Sequence, residues 1–100
     1  MWKFLSALLL VLVSLEPSLS ADADNGRRIA RRWCVSCHVV AQNQRGTTGE
    51  APSFSSVAQK PNFDETKLAF FLLAPHPKMP NMGLSRKEAT DLASYIATLH

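Results

Sequence analysis

One hundred residues with eleven Lys and Arg against eight Asp and Glu, a formal +3 at pH 7, make one small domain whose basicity is too mild and diffuse for nucleic-acid binding. Two cysteines and three histidines in the whole chain fall short of the paired Cys/His sets that structural zinc sites use. No internal repeat or low-complexity segment is visible, which excludes solenoid and linker classes.

Met1-Trp2-Lys3 is a short positive start, and Phe4 to Leu15 is an apolar run interrupted only by Ser6 and Ser14. Spanning a bilayer takes about 18 or more apolar residues; this run is shorter, and Glu16-Pro17 ends it. Ser18-Leu19-Ser20-Ala21 then supplies small residues of the kind that signal cleavage requires. Residues 1–20 therefore read as a cleaved secretory signal peptide, with the cut after Ser20, Ala21 or Ala23, and residues 21–100 as a single domain. Removing the leader takes only Lys3 and Glu16 among the charges, so the mature chain keeps the formal +3. Export implies a periplasmic protein in a Gram-negative source, with no stable membrane insertion after cleavage. A domain this small buries too little surface to be secure without a staple.

Asp22 to Asn25 offers acidic and amide caps for a helix continuing through Arg27 to Trp33. Gly26 near its start has two readings: a plain N-cap glycine, or a point where another backbone comes close. The helix runs into Cys34-Val35-Ser36-Cys37-His38. Two cysteines three apart with a histidine after the second form the c-type haem attachment signature, in which both thiols become thioethers to the macrocycle and the imidazole binds iron. On a helical turn of about 100° per residue, positions i, i+3 and i+4 share one narrow face, so Cys34, Cys37 and His38 can meet one flat ligand. Two rival readings are a zinc site, short of ligands with only His76 and His100 to add, and a thioredoxin-type pair or disulfide, which should follow a β-strand that is not apparent here. A covalent haem would also be the staple, with the apo-chain expected to be largely unfolded.

Val39 to Ser53 shows no period and is rich in Gly, Thr and Pro, so it reads as a loop wrapping the haem edge. Phe54 to Ala58 suits a short helical turn, broken by Gln59-Lys60-Pro61. Asn62-Phe63-Asp64-Glu65 matches a capping box, Asn at the cap and Glu three later, opening a helix through about Leu73. That helix carries Leu68, Phe70, Phe71, Leu72 and Leu73, apolar on more than one face, as packing on both a core and a haem wall would require. Three prolines in Pro75-His76-Pro77-Lys78-Met79-Pro80 fix an extended, rigid loop that can offer His76, Met79 or the nearby Met82 as a second iron ligand. Ser85-Arg86-Lys87-Glu88 is a second capping box, and Ala89, Leu92, Ala93 and Ile96 recur at helical spacing to about Leu99.

Taken together, the pattern resembles the class I (monohaem) cytochrome c family over about residues 22–100. The matching residues are Gly26, eight before Cys34, the Cys34 to His38 motif, Gly49-Glu50-Ala51-Pro52, Lys78-Met79-Pro80, and Asp91 to Ile96. The resemblance implies an all-α cytochrome c fold, with three to four helices wrapped around one covalent haem c and its iron and with the first and last helices crossing. It implies His38 as the proximal iron ligand and Pro52 as the residue whose carbonyl accepts the other imidazole N–H. Met79 is the implied distal ligand, with Met82 as fallback: Met79 stands sixteen residues before Tyr95, the separation relatives keep between that ligand and the tyrosine of the last helix. Gly26 and Tyr95 are implied members of the helix crossing, and Trp33, Phe54 and Phe71 are candidates for packing on the haem. Where many relatives place a large side chain four before the first cysteine, this chain has Ala30, leaving Ile29 or Trp33 to fill the space.

Iron held on both sides leaves no position for a substrate, so the expected function is one-electron carriage between periplasmic redox partners and not catalysis. The expected partners are redox proteins with an acidic docking surface, met by a monomer or by a subunit of a redox complex. Lys60, Lys78, Lys87 and some arginines would steer that encounter. Two alternatives stand beside it. One is a haem subunit of a periplasmic dehydrogenase or sulfur-oxidising complex, and the other is a haem enzyme or gas sensor in which the methionine is labile.

Overall fold

A computed structural model describes residues 20–47, 51–75 and 77–100. Residues 1–19 of the leader, Thr48-Gly49-Glu50 and His76 lie outside the described residues. Among those described there are four helices and no strand: α1 (Ala23–Trp33), α2 (Phe54–Ala58), α3 (Glu65–Leu73) and α4 (Arg86–Ala97). The all-α fold and helix count are those expected, and no helix among the described residues is long and apolar enough to cross a membrane.

Local chemistry sets each helix start. The Asp22 carboxylate caps α1 by accepting from Asn25 N–H at 3.0 Å, with Asp24 in the first turn and Arg31 and Arg32 in the last, the polarity that complements the helix dipole. Ser53 caps α2. Ser85 and Glu88 form the expected reciprocal box at α4, Ser85 Oγ accepting from Glu88 N–H and Glu88 Oε1 from Ser85 N–H, each at 3.0 Å. At α3 the expectation needs correcting. Asp64, not Asn62, is the cap, accepting from Lys67 N–H at 3.0 Å, so Glu65 is the first helical residue and cannot reach back to close a box. Asn62 instead takes φ +64° in the preceding turn, a left-handed conformation that Asn tolerates better than most residues.

Helices α1, α2 and α3 all pack against α4. Ala89, Leu92, Ala93 and Ile96, the stripe read from the sequence, are buried together with Ile29 and Ala30 of α1, Phe54 and Ala58 of α2, and Leu72 of α3. Ile29 enters this core while Trp33 stays 47% exposed, so of the two side chains proposed to compensate for Ala30 it is Ile29 that is buried. The last helix ends at Ala97, slightly short of the expected Leu99.

The crossing of α1 and α4 is a backbone-to-backbone contact. A Cβ at Gly26 would overlap the carbonyl of Asp91 and come within 2.8 Å of Tyr95 Cβ. Gly26 lies inside α1 and does not cap it, so the close-approach reading is the correct one. Beside that contact the fully buried Asp91 carboxylate accepts from Asp22 N–H at 2.8 Å, Asn25 Nδ2 at 2.9 Å and Lys87 Nζ at 2.7 Å. Burial pushes this carboxyl up, but the bonds from Asp22, Lys87 and Asn25 outweigh it and hold the group below its ordinary value. A charge is tolerated in the core because every donor around it is aimed at it.

Two predictions follow from the crossing. Gly26→Ala forces the helices apart and should cost about 1–3 kcal/mol, the range for overpacking a tight contact; an unchanged denaturation midpoint would show that the helices slide apart freely. Because the native pKa of Asp91 is lowered, its stabilisation is complete above the unfolded carboxylate value of about 4 and is lost as pH falls through the native value. Denaturant titrations from neutral to strongly acid pH should therefore show an acid loss that Asp91→Asn flattens, and equal acid slopes in the two proteins would contradict the clamp.

Candidate haem-binding site

The attachment motif sits where α1 stops. Cys34 is its C-cap, with N–H donating to Ala30 O at 2.9 Å. Its own carbonyl accepts from Cys37 N–H at 3.2 Å and His38 N–H at 2.8 Å. These i+3 and i+4 bonds add one further turn, which carries both sulfurs and the imidazole on consecutive passes of the chain. Both thiols are free: Cys34 is buried and Cys37 exposed. Burial, with the neighbouring Cys37 adding to it, pushes the Cys34 thiol up to about 11. Redox-active cysteines need the reverse, an accessible thiolate, so the thioredoxin-type reading finds no support in this turn.

His38 is half-buried, and its Nδ1 lies 2.6 Å from the carbonyl oxygen of Pro52. A carbonyl can only accept, so the proton is on Nδ1 and the lone pair is left on Nε2, the tautomer that a metal requires. The Phe54 ring lies 5.1 Å from the imidazole, tilted by 47°, and restricts its rotation. Three consecutive residues thus do related work. Pro52 fixes the imidazole proton, Ser53 caps α2, and Phe54 walls the ring while its N–H donates to Val39 O at 2.9 Å.

The segment after the histidine is tied into the domain at two places that the sequence reading did not foresee. Tyr95 Oη of α4 donates to Val40 O at 2.6 Å, and the side-chain amide of Gln44 joins Val40 N–H to carbonyls of the attachment turn. A lone glutamine in an aperiodic loop carries no signal by which its partners could be found; Tyr95 carried one through the family resemblance, though for the helix crossing only.

Several large apolar side chains are only partly covered by protein. Trp33 is 47% exposed, with the Arg32 guanidinium 5.0 Å above its ring, and on α3 Phe71 is 42% and Phe70 68% exposed. Of the three aromatic candidates, then, Phe54 adjoins His38, while Trp33 and Phe71 are each a little under half exposed. An open cleft of about 470 Å³ borders Val35 and Ser36, between the two cysteines, and is completed by Arg45, Gly46 and Thr47. Met79 is half-buried and packs against the core; Met82 is half-buried but is not among the described side chains packed there. Two free thiols and an Nε2 lone pair on one turn of chain, in a domain with partly exposed aromatic side chains, fit a covalently tethered haem.

Comparison with known proteins agrees with that chemistry. Residues 21–96 match the family model described as cytochrome c oxidase, cbb3-type, subunit III. The chain is 55% identical over 91 residues to a cytochrome c-552 of Bradyrhizobium diazoefficiens, an alignment covering 91% of this chain and 88% of that protein. No solved structure matches the chain closely. On the family match, the near full-length relative and the attachment turn together, this chain belongs to the class I, monohaem c-type cytochromes, electron-transport proteins that carry one covalent haem c with its iron.

Proposed function

We propose that this cytochrome shuttles single electrons between periplasmic proteins, with His38 Nε2 and the Met79 sulfur as the two axial ligands and no enzymatic turnover of its own. The observation that carries the reading is the 2.6 Å bond from His38 Nδ1 to Pro52 O, which commits the imidazole to the tautomer with Nε2 free. Haem iron, when bound, supplies a one-electron couple. Cys34 and Cys37 would hold the group through thioethers, while Pro52 and Phe54 fix the orientation of the imidazole. A thioether ligand from Met79 would favour the reduced metal and a higher potential. With His38 and Met79 both bound to the iron, no position would remain for a substrate.

Packing of Met79 against the core supports it over Met82 as the distal ligand, and the flanking Pro77 and Pro80 lower the entropy cost of holding it there. Residues 1–20 act as the export signal in this reading. All of Asp22 is in use, its side chain as the α1 cap, its N–H on Asp91 and its carbonyl accepting from Gly26 N–H at 3.0 Å. A cut after Ser20 or Ala21 preserves those bonds, whereas a cut after Ala23 removes them.

The partner is a redox protein with an acidic docking surface. Arg27, Arg28, Arg31 and Arg32 lie exposed along α1, and Lys60 is exposed beyond α2. Lys87 is committed to Asp91 at 2.7 Å and is a structural residue first. The family's description as an oxidase subunit favours a second reading, residence in a larger redox complex. Gel filtration of native extract separates the two, because a free shuttle elutes near its own 11.0 kDa chain mass or below.

Met79→Leu should abolish the sulfur-to-iron charge-transfer absorbance and open the reduced protein to carbon monoxide at neutral pH, while Met82→Leu changes neither. The opposite order would exchange the two methionines, and carbon monoxide binding by the wild type would favour the gas-sensor alternative. Association with the redox partner should slow as ionic strength rises, and a rate independent of salt would remove the basic surface from the account.

A further inference from the structure

We propose that Gln44 is a positioning residue for the proximal side, holding the backbone that carries His38; this rests on the His38 ligation put forward above. Its Oε1 accepts from Val40 N–H at 2.8 Å, and its Nε2 lies 2.9 Å from His38 O, 3.2 Å from Val35 O and 3.3 Å from Gly46 O. An amide nitrogen has two hydrogens, so three carbonyls share two donors, and the shortest contact is to the residue bearing the ligand. Val35 stands between the two cysteines, so the same side chain also grips the attachment turn.

The histidine is thereby held twice. Pro52 O fixes the ring through Nδ1, and Gln44 fixes the peptide to which that ring is attached. The anchor is firm at its other end, because Val40 O takes the buried bond from Tyr95 and Val39 O takes Phe54 N–H. A run of bonds therefore connects the last helix, through Val40 and Gln44, to the backbone of the attachment motif. A residue serving only the loop would need Val40 and Gly46 alone. The bonds to Val35 O and His38 O reach out of the loop into the motif, and they distinguish a positioning role from a brace.

The test uses the exported, haem-loaded protein with Gln44→Met, Gln44→Glu and, as a charge-matched control, substitution of the exposed Gln42, Gln42→Glu. Three quantities are read: hydrogen exchange of the Val40 amide, the ring-proton shifts of histidine-labelled ferric protein, and the midpoint potential. Gln44→Met should speed Val40 exchange and move both the His38 ring resonances and the potential. Gln44→Glu keeps an acceptor for Val40 and so should keep its protection, yet still move the ring resonances, beyond any change in Gln42→Glu. It also carries the test if Gln44→Met does not accumulate. Ring resonances and potentials in both Gln44 variants no different from the Gln42→Glu control would overturn the proposal and leave Gln44 a loop brace. Absence of paramagnetically shifted His38 ring signals in the wild type would remove the ligation itself, and this inference with it.

Discussion

The contact on which the rest depends is the meeting of two backbones at Gly26 and Asp91. Helices cross this closely only where one presents no side chain and the other presents small ones, and here Gly26 faces a helix carrying Ala89 and Ala93. The crossing fixes where α1 ends, and α1 ends at Cys34. The position of the haem attachment turn is therefore a consequence of a contact two turns away. Asp91 adds direction to what would otherwise be a greasy contact that could slide. A buried carboxylate satisfied by donors from both helices admits one register, since any slip strands its charge.

The surroundings of His38 are built outward from the same last helix. Tyr95 holds Val40, α2 places Phe54 against the imidazole, and the carbonyl of Pro52, just before α2, accepts from the imidazole N–H. What the polypeptide leaves undone is apolar cover. Leu72 of α3 is buried while Phe70 and Phe71 are partly exposed, and Trp33 at the end of α1 is half in solvent. For a domain of this size such exposure is costly. A haem tethered at Cys34 and Cys37 would offer these side chains an apolar surface and would cross-link the turn to the group it surrounds.

How much of this was legible in the sequence depended on how local each signal was. The Ser85 box, the Phe54 turn and the apolar stripe of α4 are decided within a few residues, and they appear as read. The α3 cap was misplaced by two because Asn62 and Asp64 are both good caps, and only the turn's backbone decides which one meets a free N–H. Gly26 carried two meanings until its partner helix was in view. Asp91 entered only as the first residue of the last-helix family pattern; its burial depends on Asp22 and Asn25, more than sixty residues away. Gln44 had no pattern at all, since its partners are main-chain atoms that any residue could supply.

The central claim is that one iron porphyrin, bonded through two sulfurs to this chain, completes the domain. Intact mass of the protein purified from a host able to ligate haem, read together with its pyridine haemochrome, tests it most directly. The account predicts a chain beginning at Ala21 or Asp22 plus one haem that acid-acetone does not extract. A colourless product of bare chain mass that is nevertheless compact and stable would contradict it.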